Sequence, residues 1–243
     1  MAGCSESPRL KLLAFDTSTE TMFAAVQRGE PGSCAPLQYQ AAGGAQASAA
    51  LIPAILDLLA RAGLRLQELD AIVFGRGPGS FTGLRTACSV AQGLAFGAGV
   101  PVLAVDTLLA VAEEARQSEG AAQVVAVLDA RMDEVYSTAY AYGAGHWRQQ
   151  GEFSLGRPET VVVPAGWVLA GNAFSGYADR LPAAAGRIAA LPTAAALLRL
   201  APGLIAAGQA GPAARALPLY IRDKVAQTTE ERAALRAAPS IKP

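Results

Sequence analysis

Two stretches of the chain share one rhythm. LKLLAFDTSTETMFAAVQRG, residues 10–29, and VVAVLDARMDEVYSTAYAYG, residues 124–143, each run apolar up to an aspartate. Each then passes through four or five mostly polar residues and returns as a run rich in β-branched and aromatic side chains. That pattern predicts a strand, a turn and a returning strand. Between the copies, Leu51, Ile52, Ile55, Leu58, Leu59 and Ala62 recur at spacings of three and four, one apolar stripe of a helix over residues 48–62. Residues 71–74 read as a short buried strand, followed by GRGPGSFTGLR at 75–85 and a helix running to about Phe96. Residues 100–105 form the next apolar strand, and Thr107 stands where it can cap a helix reaching about Arg116. Strands interleaved with helices predict a mixed, partly parallel sheet covered by helices.

The repetition predicts two related lobes facing each other across a cleft. The expected division is a disordered start at 1–8, an N-terminal lobe over 9–107, a smaller degenerate C-terminal lobe over 108–225 and a flexible tail at 226–243. Prolines, glycines and short apolar runs make 156–186 irregular, and a helix at about 192–207 is placed to pack back on the first lobe. The tail is charged and has no apolar stripe wide enough to bury.

The two turns differ in chemistry. Asp16 is followed by Thr17, Ser18 and Thr19, and short hydroxyl side chains with free backbone N–H groups can cradle a phosphate. The same residues also suit a hairpin turn satisfied by its own side chains. The second turn, from Ala130 through Arg131, Met132 and Asp133 to Glu134, has no glycine to let backbone approach a phosphate, and its carboxylates would repel one. A clamp with phosphate chemistry in only one jaw is expected to be a poor ATPase.

Composition narrows the classes further. The chain is 52% hydrophobic and 16% charged, with Lys+Arg and Asp+Glu both 20, so no global positive field draws nucleic acid. The uncharged apolar stretch at 93–105 is broken by Gly97, Gly99 and Pro101 and does not read as membrane-spanning. The opening MAGCSESPR lacks the apolar core of a secretion signal, which makes the cytoplasm the expected compartment. Cys4, Cys34 and Cys88 are scattered, as in a reducing environment. His146 is the single histidine, so a metal site built from two imidazoles is excluded. It stands in what reads as a turn after the second hairpin and has no G-x-S-x-G elbow to serve, and no catalytic residue is expected.

The glycine-rich loop admits three readings. A Walker A loop is ruled out because Leu84 and Arg85, not Lys and Ser or Thr, follow Gly83. A dinucleotide loop would use Gly77-x-Gly79-x-x-Thr82, with Thr82 in place of the third glycine and Asp106 ending a later strand. The third reading is a tight corner that delivers the next helix. In that helix Gly83, Ala87, Ala91 and Ala95 form a strip of small side chains on which another helix, from this chain or a partner, can lie close.

GRGPGSFTGLRTACSVAQGLAFG, LLAFDTSTE, VVAVLDARMDEVYSTAY, LAGNAFSGY and PLYIRDKV together resemble the bacterial TsaB family, also called YeaZ, from about Leu10 to Val225. The resemblance implies an α/β fold: the reduced two-lobed architecture of actin, Hsp70 and sugar kinases, ribonuclease H-like, with a mixed sheet flanked by helices in each lobe. It implies a non-catalytic subunit of the complex that places a threonylcarbamoyl group on the adenosine beside the anticodon in tRNAs reading codons that begin with A. The implied partners are a homologous TsaD-like catalytic subunit, a TsaE-like ATPase, tRNA reached through the complex, and a second copy of the chain when TsaD is absent. TsaD holds a metal through paired histidines on its first long helix, and AQASAALIPAILDLL offers no imidazole, so no metal is expected here. No cofactor is expected beyond weak or vestigial ATP or ADP binding at Asp16, Thr17, Ser18 and Thr19. Such proteins pair through helices of the N-terminal lobe, which makes Leu51, Ile55, Phe81, Arg85, Ala87 and Ala91 the expected interface. Two other readings stay open, an active actin-like ATPase or kinase and a dinucleotide-binding oxidoreductase using residues 77–82.

Overall fold

The computed structural model describes residues 10–29 and 35–222. Cys4, Cys34, the first eight residues and the tail at 226–243 lie outside the described residues. Strands β1 (Lys11–Asp16) and β2 (Thr21–Arg28) form the first antiparallel hairpin, which β3 (Leu37–Ala42) extends. On the other side of β1, strands β4 (Ala71–Gly77) and β5 (Val102–Asp106) join in parallel, giving the order β3-β2-β1-β4-β5. The second sheet repeats this plan strand for strand. Strands β6 (Gln123–Arg131), β7 (Glu134–Gly143) and β8 (His146–Gly156) form an antiparallel meander, and β9 (Val168–Gly171) and β10 (Arg187–Ala189) lie parallel beyond β6. The central strands β1 and β6 are covered on both faces, which is why each reads as a continuous apolar run rather than an alternation.

Helices α1 (Ala47–Ala62) and α2 (Phe81–Ala98) cover one face of the first sheet. Leu51, Ile55 and Leu58 of α1 and Ala87, Ala91 and Ala95 of α2 pack there with Leu13, Phe15 and Phe74. The small-residue strip therefore faces inward. The opposite face of the same sheet is covered from the far end of the chain, where Leu197, Leu198 and Ala201 of α5 (Ala194–Ala206) pack on Leu12, Ala14, Val73, Leu103 and Val105. Each fully buried leucine contributes about 1.5–3 kcal/mol relative to exposure. Helix α3 (Thr107–Glu119) lies between the sheets, giving Ala110 to that core and Leu108, Val111, Ala112 and Ala115 to the core of the second sheet. A single-turn helix, α4 (Phe174–Tyr177), follows β9.

Glu113 of α3 is a buried charge that ties three elements together. Its carboxylate accepts Nε and Nη2 of Arg116 at 2.9 and 2.8 Å, Nε of Arg199 on α5 at 3.0 Å and the indole N–H of Trp147 on β8 at 2.9 Å. A carboxylate removed from water is tolerated only with partners of this kind.

Three local expectations are corrected. Thr107 does not cap α3. The N-cap is Asp106, whose side chain makes no capping bond, and the Thr107 hydroxyl instead accepts the Gly77 N–H at 3.1 Å. His146 begins β8 rather than sitting in a turn, because β7 offers a free edge on which even the polar run HWRQQGEFSLG finds backbone partners. The irregular segment at 156–186 contains β9 and α4. Among the described residues no helix is long and apolar enough to cross a membrane.

Candidate functional site

The two hairpin turns face each other across a cleft of about 590 Å³. Ser18, Thr19 and Glu20 form one wall, and Asp129, Ala130, Arg131 and Met132 the other. Phe81 and Leu84 from the start of α2, and the segment 219–222, complete it.

At the first turn every hydroxyl is engaged within the protein. Asp16, at the end of β1, is fully buried, and its Oδ1 accepts the Ser18 N–H at 2.8 Å and the Ser18 hydroxyl at 2.6 Å. Among the described residues its Oδ2 has no hydrogen-bond partner, and it faces Gly75 of β4, where a Cβ would stand 1.7 Å away. Burial pushes the Asp16 carboxyl up to about 6, against the opposing pull of the Ser18 bonds and the nearby Thr107 hydroxyl. Thr17 donates its hydroxyl to the Gly83 carbonyl at 2.7 Å. Thr19 donates to the Thr21 carbonyl at 3.1 Å and accepts the Thr21 N–H at 3.3 Å. The glycine-rich loop lies directly on this turn. Ser80 N–H donates to the Ser18 carbonyl at 2.8 Å, and a Cβ on Gly79 would come within 2.6 Å of the same oxygen. The glycines at 79 and 83 thus allow the loop to lie directly on the turn's backbone.

The second turn is held in a costly conformation. Arg131, Met132 and Asp133 have φ of 62°, 57° and 65°, three successive left-handed residues without a glycine. Each such residue costs about 1–2 kcal/mol. Hydrogen bonds hold them: Arg131 N–H donates to Asp129 Oδ1 at 2.8 Å, Tyr177 donates to the same oxygen at 3.2 Å, and Asn172 Oδ1 accepts the Asp129 N–H at 2.9 Å. Arg180 pairs with both Asp133 and Glu159 and holds both carboxyls below their usual range. Across the cleft, the Arg131 guanidinium meets Glu20 of the first turn. Arg222 pairs with Glu134 at 2.8 Å. Among the described residues, both cations lining the cleft therefore have carboxylate partners.

The expected interface residues divide. Leu51, Ile55, Ala87 and Ala91 are at 0% exposure, so they offer no surface to a partner; apart from Ile52, the buried side chains of each helix's apolar stripe face its own sheet. Phe81 is half-buried at the rim of the cleft, with the exposed Arg85 guanidinium 3.8 Å over its ring. The apolar surface that α1 and α2 do present consists of Ile52, Leu56 and Phe96, at 42%, 52% and 84% exposure. Ile52 belongs to the helical spacing already recognised in the sequence; Phe96 carries no signal beyond being a large apolar residue at a helix end. Among the described residues no group of three or more His, Cys, Asp or Glu could hold a metal. Burial pushes the Cys88 thiol up to about 12, far from a reactive thiolate.

Two mixed sheets of one topology, each flanked by helices and meeting turn to turn, define the two-lobed class to which actin and the sugar kinases belong. The family model of TsaD, tRNA N6-adenosine threonylcarbamoyltransferase, matches residues 43–170. The tRNA threonylcarbamoyladenosine biosynthesis protein TsaB of Escherichia coli (strain K12) is 32% identical over 232 residues, covering 89% of this chain and 96% of that protein. The chain belongs to the TsaB, or YeaZ, family. The protein of the same description from Haemophilus influenzae is 46% identical over 128 residues, 52% of each chain. The solved structure of YeaZ from Pseudomonas aeruginosa has a TM-score of 0.79 at 41% identity, covering 87% of this chain and 100% of that one.

Proposed function

We propose that this chain serves tRNA threonylcarbamoyladenosine biosynthesis as a non-catalytic subunit that docks on a TsaD-like transferase. The observation that carries this reading is the state of the first turn: the hydroxyls of Thr17, Ser18 and Thr19 are all bonded within the protein, so the three groups best suited to cradle a phosphate are already engaged. The outer faces of α1 and α2, with Ile52, Leu56 and Phe96, supply the docking surface, and the same face serves a second copy when the transferase is absent. A TsaE-like ATPase and tRNA join through the assembled complex, in the cytoplasm. An active ATPase or kinase would need phosphate contacts that the second turn does not offer, and the glycines of a dinucleotide loop are used here to pack on the first turn.

The test is to mix the purified chain with a TsaD-like subunit and ask whether a discrete heterodimer elutes. tRNA modification is then reconstituted with and without the chain. The expected result is a heterodimer and modification that depends on this chain, which alone neither modifies tRNA nor turns over ATP above background. Brisk ATP hydrolysis by the lone chain, or full modification without it, overturns the reading.

A further inference from the structure

Residues 217–222 cross the mouth of the cleft and bind both sides of it. Leu219 N–H donates to the Arg76 carbonyl at 2.7 Å, and a Cβ on the neighbouring Gly77 would lie 2.7 Å from the Leu219 carbonyl. Tyr220 sets its ring against Phe81 at the start of α2, with centroids 5.2 Å apart, and its hydroxyl accepts Arg85 Nε at 3.1 Å. Ile221 packs on the core of the second sheet. At Arg222 the chain has reached the second turn. Its Nη2 donates to the Ala130 carbonyl at 3.0 Å and pairs with Glu134 at 2.8 Å, its Nη1 lies 3.3 Å from the Met132 sulfur, and its side chain is only 12% exposed.

We propose that this segment is a clasp that fixes the angle between the two lobes and holds the second turn in its left-handed form. The other bridge across the cleft, between Arg131 and Glu20, has side chains 66% and 81% exposed, and such pairs contribute little in water and salt. Arg222 is different: its guanidinium is largely withdrawn from water, with a side chain 12% exposed, and holds the half-buried Ala130 carbonyl and Glu134 together, where charge-assisted bonds are less screened than at the surface. Tyr220 on the first lobe and Arg222 on the second are two residues apart, so the connection between the anchors has almost no slack. The opening of the cleft is thus set by the chain itself, with no ligand required to close it.

The experiment uses the full chain with Cys4→Ser, Cys34→Ser and Cys88→Ala, and spin labels at Ala60→Cys on α1 and Gln150→Cys on β8, both exposed positions. Pulsed dipolar spectroscopy should show one narrow distance distribution. Tyr220→Ala with Arg222→Ala should at least double its width, whereas Glu20→Gln should leave it unchanged. A double variant with unchanged width, or equal broadening by Glu20→Gln, overturns the clasp. Should the double variant fail to fold, hydrogen exchange on the unsubstituted chain decides: a Leu219 amide protected like those of β4 supports the clasp, and one exchanging at the unprotected rate refutes it.

Discussion

Thr17 and Gly83 meet twice: the Thr17 hydroxyl donates to the Gly83 carbonyl at 2.7 Å, and a Cβ on Gly83 would sit 1.8 Å from the Thr17 carbonyl oxygen. The first turn of α2 is therefore moulded onto the turn after β1, and glycine is required by contact with another segment rather than by its own φ.

Gly83→Ala should destabilise the protein by about 1–3 kcal/mol or more, because backbone rather than a flexible side chain stands in the way. Gly93, in the same helix, has nothing within 4 Å of where a Cβ would be. Gly93→Ala should stabilise by about 0.5–1 kcal/mol. Urea unfolding of both variants checks this, and equal effects at the two sites would contradict the packing described.

Asp16 should make stability fall as pH rises. Its carboxyl titrates at about 6 when folded and at the ordinary 3.8 when the chain is unfolded, so between those values the native state holds the extra proton. The resulting penalty is absent below about pH 4, grows through the window and is complete above about pH 6, reaching roughly 3 kcal/mol. Asp16→Asn removes the titration and keeps an oxygen for Ser18. The stability difference between variant and parent should therefore rise from pH 4 to 6 and then level; a difference independent of pH in urea titrations would rule this out.

Glu113 behaves in the opposite sense. Burial, the largest single influence, raises its carboxyl, but Arg116, Trp147 and Arg199 together hold it below its ordinary 4.5. Its contribution is present above that value and disappears as pH falls through the lower folded one. Glu113→Gln should cost about 3 kcal/mol at pH 7, since it leaves two arginines facing a neutral amide. Calorimetric or urea unfolding measures the loss, and a variant as stable as the parent would show the network to be dispensable.

Leu56→Asp and Phe96→Asp should leave the melting temperature nearly unchanged and weaken binding to a TsaD-like subunit by roughly thirtyfold or more, the mark of an interface anchor. Ile55→Asp, one residue before Leu56 but fully buried, should unfold the protein instead. Titration calorimetry with thermal melts separates the two; undiminished affinity in both surface variants would move the interface elsewhere.

The hairpins, α1, α2, β4 and β5 are legible in the sequence because each carries its own apolar period. The edge strands β3 and β8 are not: LQYQAA and HWRQQGEFSLG have little to bury, and they are strands because β2 and β7 have edges to fill. At the candidate site, residue types reveal three hydroxyls but not their partners, since Thr17 is satisfied by a carbonyl in another element. Periodicity likewise finds the stripe through Leu51 and Ile55 without saying whether a sheet or a partner covers it. Arg222 stands in the recognisable PLYIRDKV run, yet nothing local announces that it reaches the second turn.

The covering of the first sheet by α5 has a consequence for how the molecule is made. When the ribosome has delivered β1 through β5, the sheet can pair, but Leu12, Ala14, Val73, Leu103 and Val105 still face water. Only after Ala194–Ala206 has emerged can that side be sealed, so the sheet that is synthesised first waits for a helix made after every strand of the second sheet.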